Sequence, residues 1–158
     1  INPRAANEFA DCVTDWGESE SVFPIYISGL PRQTDDDEPD LYGVSAGDGG
    51  EWLSAAGIET PAERGIVSGP TGALLAHALE TETTAVGLIV ESDPQFPDPA
   101  AARVVIEQGI EPIAGVDIET ADLTERAGEI KAARNQLLKR IQQASEESSR
   151  AEPIRMYQ

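Results

Sequence analysis

Thr84–Glu91 reads TAVGLIVE, and Ser92–Ala102 continues as SDPQFPDPAAA. An unbroken apolar run of this length suits a strand buried on both faces, the kind found in sheets covered by helices. A proline-rich turn follows, then a helix over Pro99–Gln108. Asp98 suits its N-cap, and Pro99 its first position, where a missing N–H has no intrahelical partner to lose. Upstream, Ala73–Glu80 reads as a helix, Gly69-Pro70-Thr71-Gly72 as a tight turn, and Gly65–Ser68 as a short strand. Strands alternating with helices imply an α/β fold with a mostly parallel sheet covered on both sides.

Farther out the alternation persists. Asn2–Trp16 carries Ala6, Phe9, Ala10, Val13 and Trp16 at three- and four-residue spacing, an amphipathic helix. Val22–Leu30 (VFPIYISGL) is β-branched and aromatic, hence a strand. Pro31–Asp40 is an acidic loop, Leu41–Ala46 a short strand and Gly47–Gly50 a loop. Glu51–Ala56 is a helix that Gly57 ends. Downstream, the longest helix is expected over Ala121–Ala144, with Thr120 as N-cap and Asp122 and Glu125 at its positive end. Leu123, Ala127, Ile130, Arg134, Leu137, Ile141 and Ala144 repeat at 4-3-4-3 spacing, a heptad-like seam interrupted by Arg134. That seam suits packing on the helix's own sheet, or, in its distal half, contact between subunits. Ser145–Pro153 is polar and reads as a mobile tether.

The chain has 158 residues, enough for one domain with one core, and 40% of them are hydrophobic. Its formal net charge is −18, which repels phosphates and anionic membranes and argues against both as partners. Only Lys131 and Lys139 are lysines among the 11 basic residues. An acidic, lysine-poor surface stays soluble in concentrated salt and reads as the cytoplasm of a salt-loving microbe, the alternative being simply an acidic mesophilic protein. Cys12 is the only cysteine, so the chain holds neither an internal disulfide nor a thiolate cluster. No segment has the length and composition of a membrane span. The chain opens Ile1-Asn2-Pro3 with no methionine, which reads as a fragment or processed product.

Few residues offer chemistry. His77 is the lone histidine, set beside Leu74, Ala78 and Leu79, and reads as a flank of the core rather than a catalytic base. Glu91 and Asp93 end a strand, where open α/β sheets bind ligands, yet no second cluster supports them. Gly69, Thr71 and Gly72 could present backbone N–H groups to an anion. They lack the spacing of a dinucleotide fingerprint and the lysine of a P-loop, so close helix packing is the simpler reason for the glycines. No metal site, cofactor or catalytic residue is expected.

Ser68–Ala78 (SGPTGALLAHA), Ala85–Ala102 (AVGLIVESDPQFPDPAAA) and Gly115–Thr120 (GVDIET) together resemble the proteasome assembly chaperone 2 family. Phe96-Pro97-Asp98-Pro99-Ala100-Ala101-Ala102, between strand and helix, is the most specific part. The resemblance implies a three-layer α/β/α sandwich, no catalytic residues, homo-oligomers, and association with α subunits of the proteasome core particle. It also implies further strands and a glycine-rich F-P-G-type turn at the start, so the N-terminal part of the domain is expected to be missing. Several members end in a hydrophobic–Tyr–any tripeptide, the HbYX motif, and Met156-Tyr157-Gln158 matches it. In this composition a chance match is roughly one in a hundred. The functional expectation is an ATP-independent proteasome assembly chaperone or regulator, cytoplasmic and archaeal. The alternative is a small-molecule-binding protein or enzyme using the sheet edge near Glu91 and Gly69–Gly72.

Overall fold

The computed structural model describes residues 3–20, 22–31, 38–62 and 65–150. Its centre is β3 (Ala85–Ser92), flanked by β1 (Ile25–Pro31) and β2 (Leu41–Ala46) in the order β1-β3-β2. β1 runs parallel to β3, with Ile25 opposite Val86 and Pro31 opposite Ser92. β2 runs antiparallel to it, with Leu41 opposite Val90 and Ala46 opposite Ala85. The sheet is therefore mixed, where the sequence alternation suggests a mostly parallel one. The reason lies in Pro31–Asp40, which is short and proline-bounded. Parallel strands require a crossover of about a dozen residues or more, and only residues 32–40 separate β1 from β2.

The pleat of β3 divides its side chains between two faces. Val86, Leu88 and Val90 point to one face and join Leu53, Ile58, Ala101, Val104, Val105 and Ile113 in the main core. That layer is built by α2 (Gly49–Ala55) and by the run that follows β3. On the other face Ala85 packs with Ala46 and Ala78, and Gly87 lies under Leu75. Small residues let α3 (Gly69–Glu80) approach the sheet closely, and α1 (Pro3–Glu20) packs outside α3 with Ala6 and Ala10 buried.

Several elements differ from the sequence expectation. Gly65–Ser68 is not a strand. Ile66 is 94% exposed, and two apolar residues between glycines supply no face to bury. Gly69-Pro70-Thr71-Gly72 is not a separate turn but the first turn of α3, entered through Gly69 at φ 73° with Pro70 in the opening turn. The helix after Asp98 does not stop at Gln108. It runs as α4 (Pro99–Val104), a π-helical segment (Val105–Ile110) and α5 (Glu111–Ala114), ending at left-handed Gly115. Pro112 has no N–H for the carbonyl of Gln108 and its ring crowds that carbonyl, which accounts for the widened turn before it. Finally α6 spans Ala121–Arg150, so Ser145–Arg150 are helical rather than a loose tether.

Candidate functional site

The loop between β3 and α4 is built around two carboxylates. Oδ1 of Asp93 accepts the N–H groups of Gln95 (2.8 Å) and Phe96 (3.1 Å), folding the chain tightly after the strand. Asp98 accepts the Ala101 N–H at 3.0 Å, the N-cap that its position in the sequence implies, and its other oxygen accepts the Asp93 N–H at 3.1 Å. Arg134 reaches this loop from α6. Its Nη1 lies 2.7 Å from Oδ2 of Asp93, whose side chain is 10% exposed, and its guanidinium sits 5.3 Å from the Phe96 ring centre. The arginine that interrupts the α6 seam thus ties α6 to the loop before α4, beside the packing of α6 on α4 itself. The interruption is visible in the sequence; its partner is not.

The root of α6 is fixed separately. Thr120 is buried, and its hydroxyl donates to Glu107 in the π-helical segment rather than capping α6. The first turn is closed instead by the Leu123 N–H on the Thr120 carbonyl at 2.9 Å, with Oε1 of Glu119 accepting the Ala121 N–H at 3.1 Å. Glu111 accepts the Ile118 N–H at 2.7 Å and holds the approach to α6. Glu107 and Glu38 flank Arg103 at 3.0 and 2.8 Å, an ion triplet beside the same root.

The other sequence candidates are dispersed. Nδ1 of His77 meets Oδ1 of Asp11 at 3.1 Å, joining α3 to α1 on the core's flank. Thr71 donates to the Ile27 carbonyl of β1 at 3.4 Å. Gly69 and Gly72 line a shallow depression with Ala6, Asn7 and Val67. A Cβ on Gly72 would lie 2.1 Å from the Val67 carbonyl oxygen, so close packing by itself requires glycine there. Glu91 instead donates its N–H to the Asp40 carbonyl at 2.9 Å, toward β2.

Near it Tyr42 gives its hydroxyl to Asp40 at 3.2 Å. Desolvation, and then the charges of Asp40, Glu91 and Glu59, raise the Tyr42 phenol above its ordinary pKa. Asp40, Tyr42, Glu59 and Glu107 line an open cleft of about 850 Å³ below the β2 edge. A more apolar cleft of about 340 Å³ lies between Val13, Trp16, Phe23, Tyr26 and Ala78. Among the described residues no group of acidic, histidine or cysteine side chains is arranged to hold a metal ion, and no helix is long and apolar enough to cross a membrane. Met156, Tyr157 and Gln158 lie outside the described residues.

The sequence model of the PAC2 family matches residues 1–138, a span that contains the loop, Arg134 and the root of α6. The chain belongs to the PAC2 family. No curated protein matches it in sequence. Its fold is similar to that of Pyrococcus furiosus PbaA, an archaeal homolog of proteasome-assembly chaperone: 21% identity, TM-score 0.74, covering 95% of this chain and 63% of that one. It is similar also to Pyrococcus furiosus PbaB, an archaeal proteasome activator, at 20% identity and TM-score 0.74 over 87% of this chain and 59% of that one. A PAC2 family protein from Streptomyces avermitilis aligns at 18% identity and TM-score 0.67, with 87% of this chain and 57% of that one covered. This PAC2 chain thus spans about three-fifths of the length of these structures. At such identities the likeness is one of fold.

Proposed function

We propose that this PAC2 chain binds the proteasome core particle, as an assembly chaperone or regulator, by inserting Met156-Tyr157-Gln158 between adjacent α subunits without using ATP. The observation that carries the reading is the family match over residues 1–138, joined to a fold shared with PbaA and PbaB.

The three residues have the chemistry for a pocket. A chain-end carboxylate pairs with a lysine or arginine. Tyr157 brings a rigid apolar ring and a hydroxyl that can find a backbone partner, and Met156 adapts to an irregular apolar wall. One tripeptide gives little net affinity, because association costs several kcal/mol of lost freedom. A homo-oligomer in the cytoplasm, presenting several tails to one ring, raises the avidity. Exposed Leu137, Leu138 and Ile141 on the distal half of α6 suit contact between copies.

Deleting Met156–Gln158 and measuring co-purification with the core particle in high salt tests this. The expected result is loss of the core particle with the fold intact; undiminished binding would sink the role of the tail.

A further inference from the structure

α6 packs along α4, and among the described residues two polar contacts bracket that packing. Thr120 fixes its root through Glu107, and Arg134 fixes it to Asp93 and Phe96 about 21 Å farther along the axis. The contact at Arg134 lies at the far end of that packing, where it bears most on the direction of the helix beyond it. Beyond Arg134 the helix continues to Arg150, a lever of about 24 Å, with Leu137, Leu138 and Ile141 exposed.

The heptad-like seam places an apolar residue at every neighbouring position, so a residue serving only to bury surface at 134 would be Leu or Ile. Arginine supplies what those cannot: a planar, permanently charged fork that locks on one carboxylate while stacking on one ring. Its partner is itself immobilised. Asp93 holds the Gln95 and Phe96 N–H groups, and Asp98 ties the loop to α4.

We propose that Arg134 is a positioning residue that aims α6, and through α6 the point from which the terminal tripeptide departs. Magnitudes favour this over simple stabilisation. Ala151–Arg155, the five residues between α6 and Met156, reach at most about 17 Å when extended. A 20° swing of the lever moves its end by about 8 Å, half of that reach. The direction of the helix therefore shifts the volume that a tail can search by half of its reach. The binding arm of this inference rests on the docking reading above; the geometric arm does not.

The test uses the full chain with spin labels on exposed Cys12 of α1 and on Gln143→Cys of α6, diluted with excess unlabelled chain so that only distances within one copy are read. Electron paramagnetic resonance should give one narrow distance distribution. Arg134→Met should at least double its width, Arg134→Lys should fall between, and Asp93→Asn should broaden it while keeping the oxygen that holds the Gln95 and Phe96 N–H groups. If Arg134→Met does not fold, the lysine and asparagine variants carry the same comparison. An unchanged distribution in variants that fold overturns the proposal, even if their melting temperature falls.

In the binding arm, Arg134→Met should weaken association with the core particle about ten-fold. Ten Gly/Ser residues inserted after Arg150 should restore it, since a longer tether no longer depends on aim. Broadened distances without that restoration would overturn the link to the tail. Loss of core-particle binding by the unmodified chain would instead strike the docking reading and leave the geometric arm standing.

Discussion

Asp98 and Arg134 differ in how far the sequence announces them. The cap at Asp98 is local: its acceptor and the Ala101 N–H are three residues apart, and Pro99 marks the helix start. The pair of Arg134 with Asp93 spans forty-one positions, and only the misplaced charge in an apolar seam hints at it. At this scale two further outcomes are expected. Gly72→Ala should destabilise the fold by about 2 kcal/mol, because its Cβ would meet the Val67 main chain, which cannot rotate aside. Denaturant unfolding measures this, and an unchanged midpoint would refute the close packing. Tyr42, protonated to unusually high pH, should show its ultraviolet tyrosinate transition above 10, and Asp40→Asn should lower it. A raised folded-state pKa contributes stability that is complete below the unfolded value near 10 and is lost as pH climbs through the folded value. The alkaline side of the stability profile should therefore fall first in that window.

At the scale of elements, β3 could be read directly, since an unbroken apolar run between turn residues has few other uses. Its two faces could not. Val86, Leu88 and Val90 serve a thick core, whereas Ala85 and Gly87 admit α3 closely. Leu88→Ala should accordingly cost about 3 kcal/mol in chemical unfolding. A loss below 1 kcal/mol would place the core elsewhere. The misread elements share a cause: they depend on tertiary partners. Ile66 and Val67 have strand-forming side chains but pair with no strand among the described residues. The π-helical segment follows from Pro112 acting back on Gln108, and from Gly109 packed under Leu88, both beyond the reach of periodicity. Antiparallel β2 follows from a connection too short for a crossover.

For the whole molecule, charge and attachment matter more than any single contact. A chain with net charge −18 repels itself, and at 0.1 M salt that repulsion acts over about 10 Å, against about 3 Å at 1 M. Raising NaCl from 0.1 to 2 M should raise the melting temperature by several degrees; a flat response would mean that the charges are already offset. Family membership was legible in the Phe96–Ala102 segment because that loop is an interlocked set of side chains rather than a generic turn. The route from that loop through Arg134 to α6 was not legible, since it is made by folding. The proposed docking joins these scales, with a rigid body, an aimed helix and a terminal tripeptide. Electron microscopy of the full chain mixed with α rings tests it most directly. Density is expected on the outer face of the ring, over the pockets between subunits, and should vanish when Met156–Gln158 are removed. A bare ring with the full chain, or equal density with the truncated one, would contradict it.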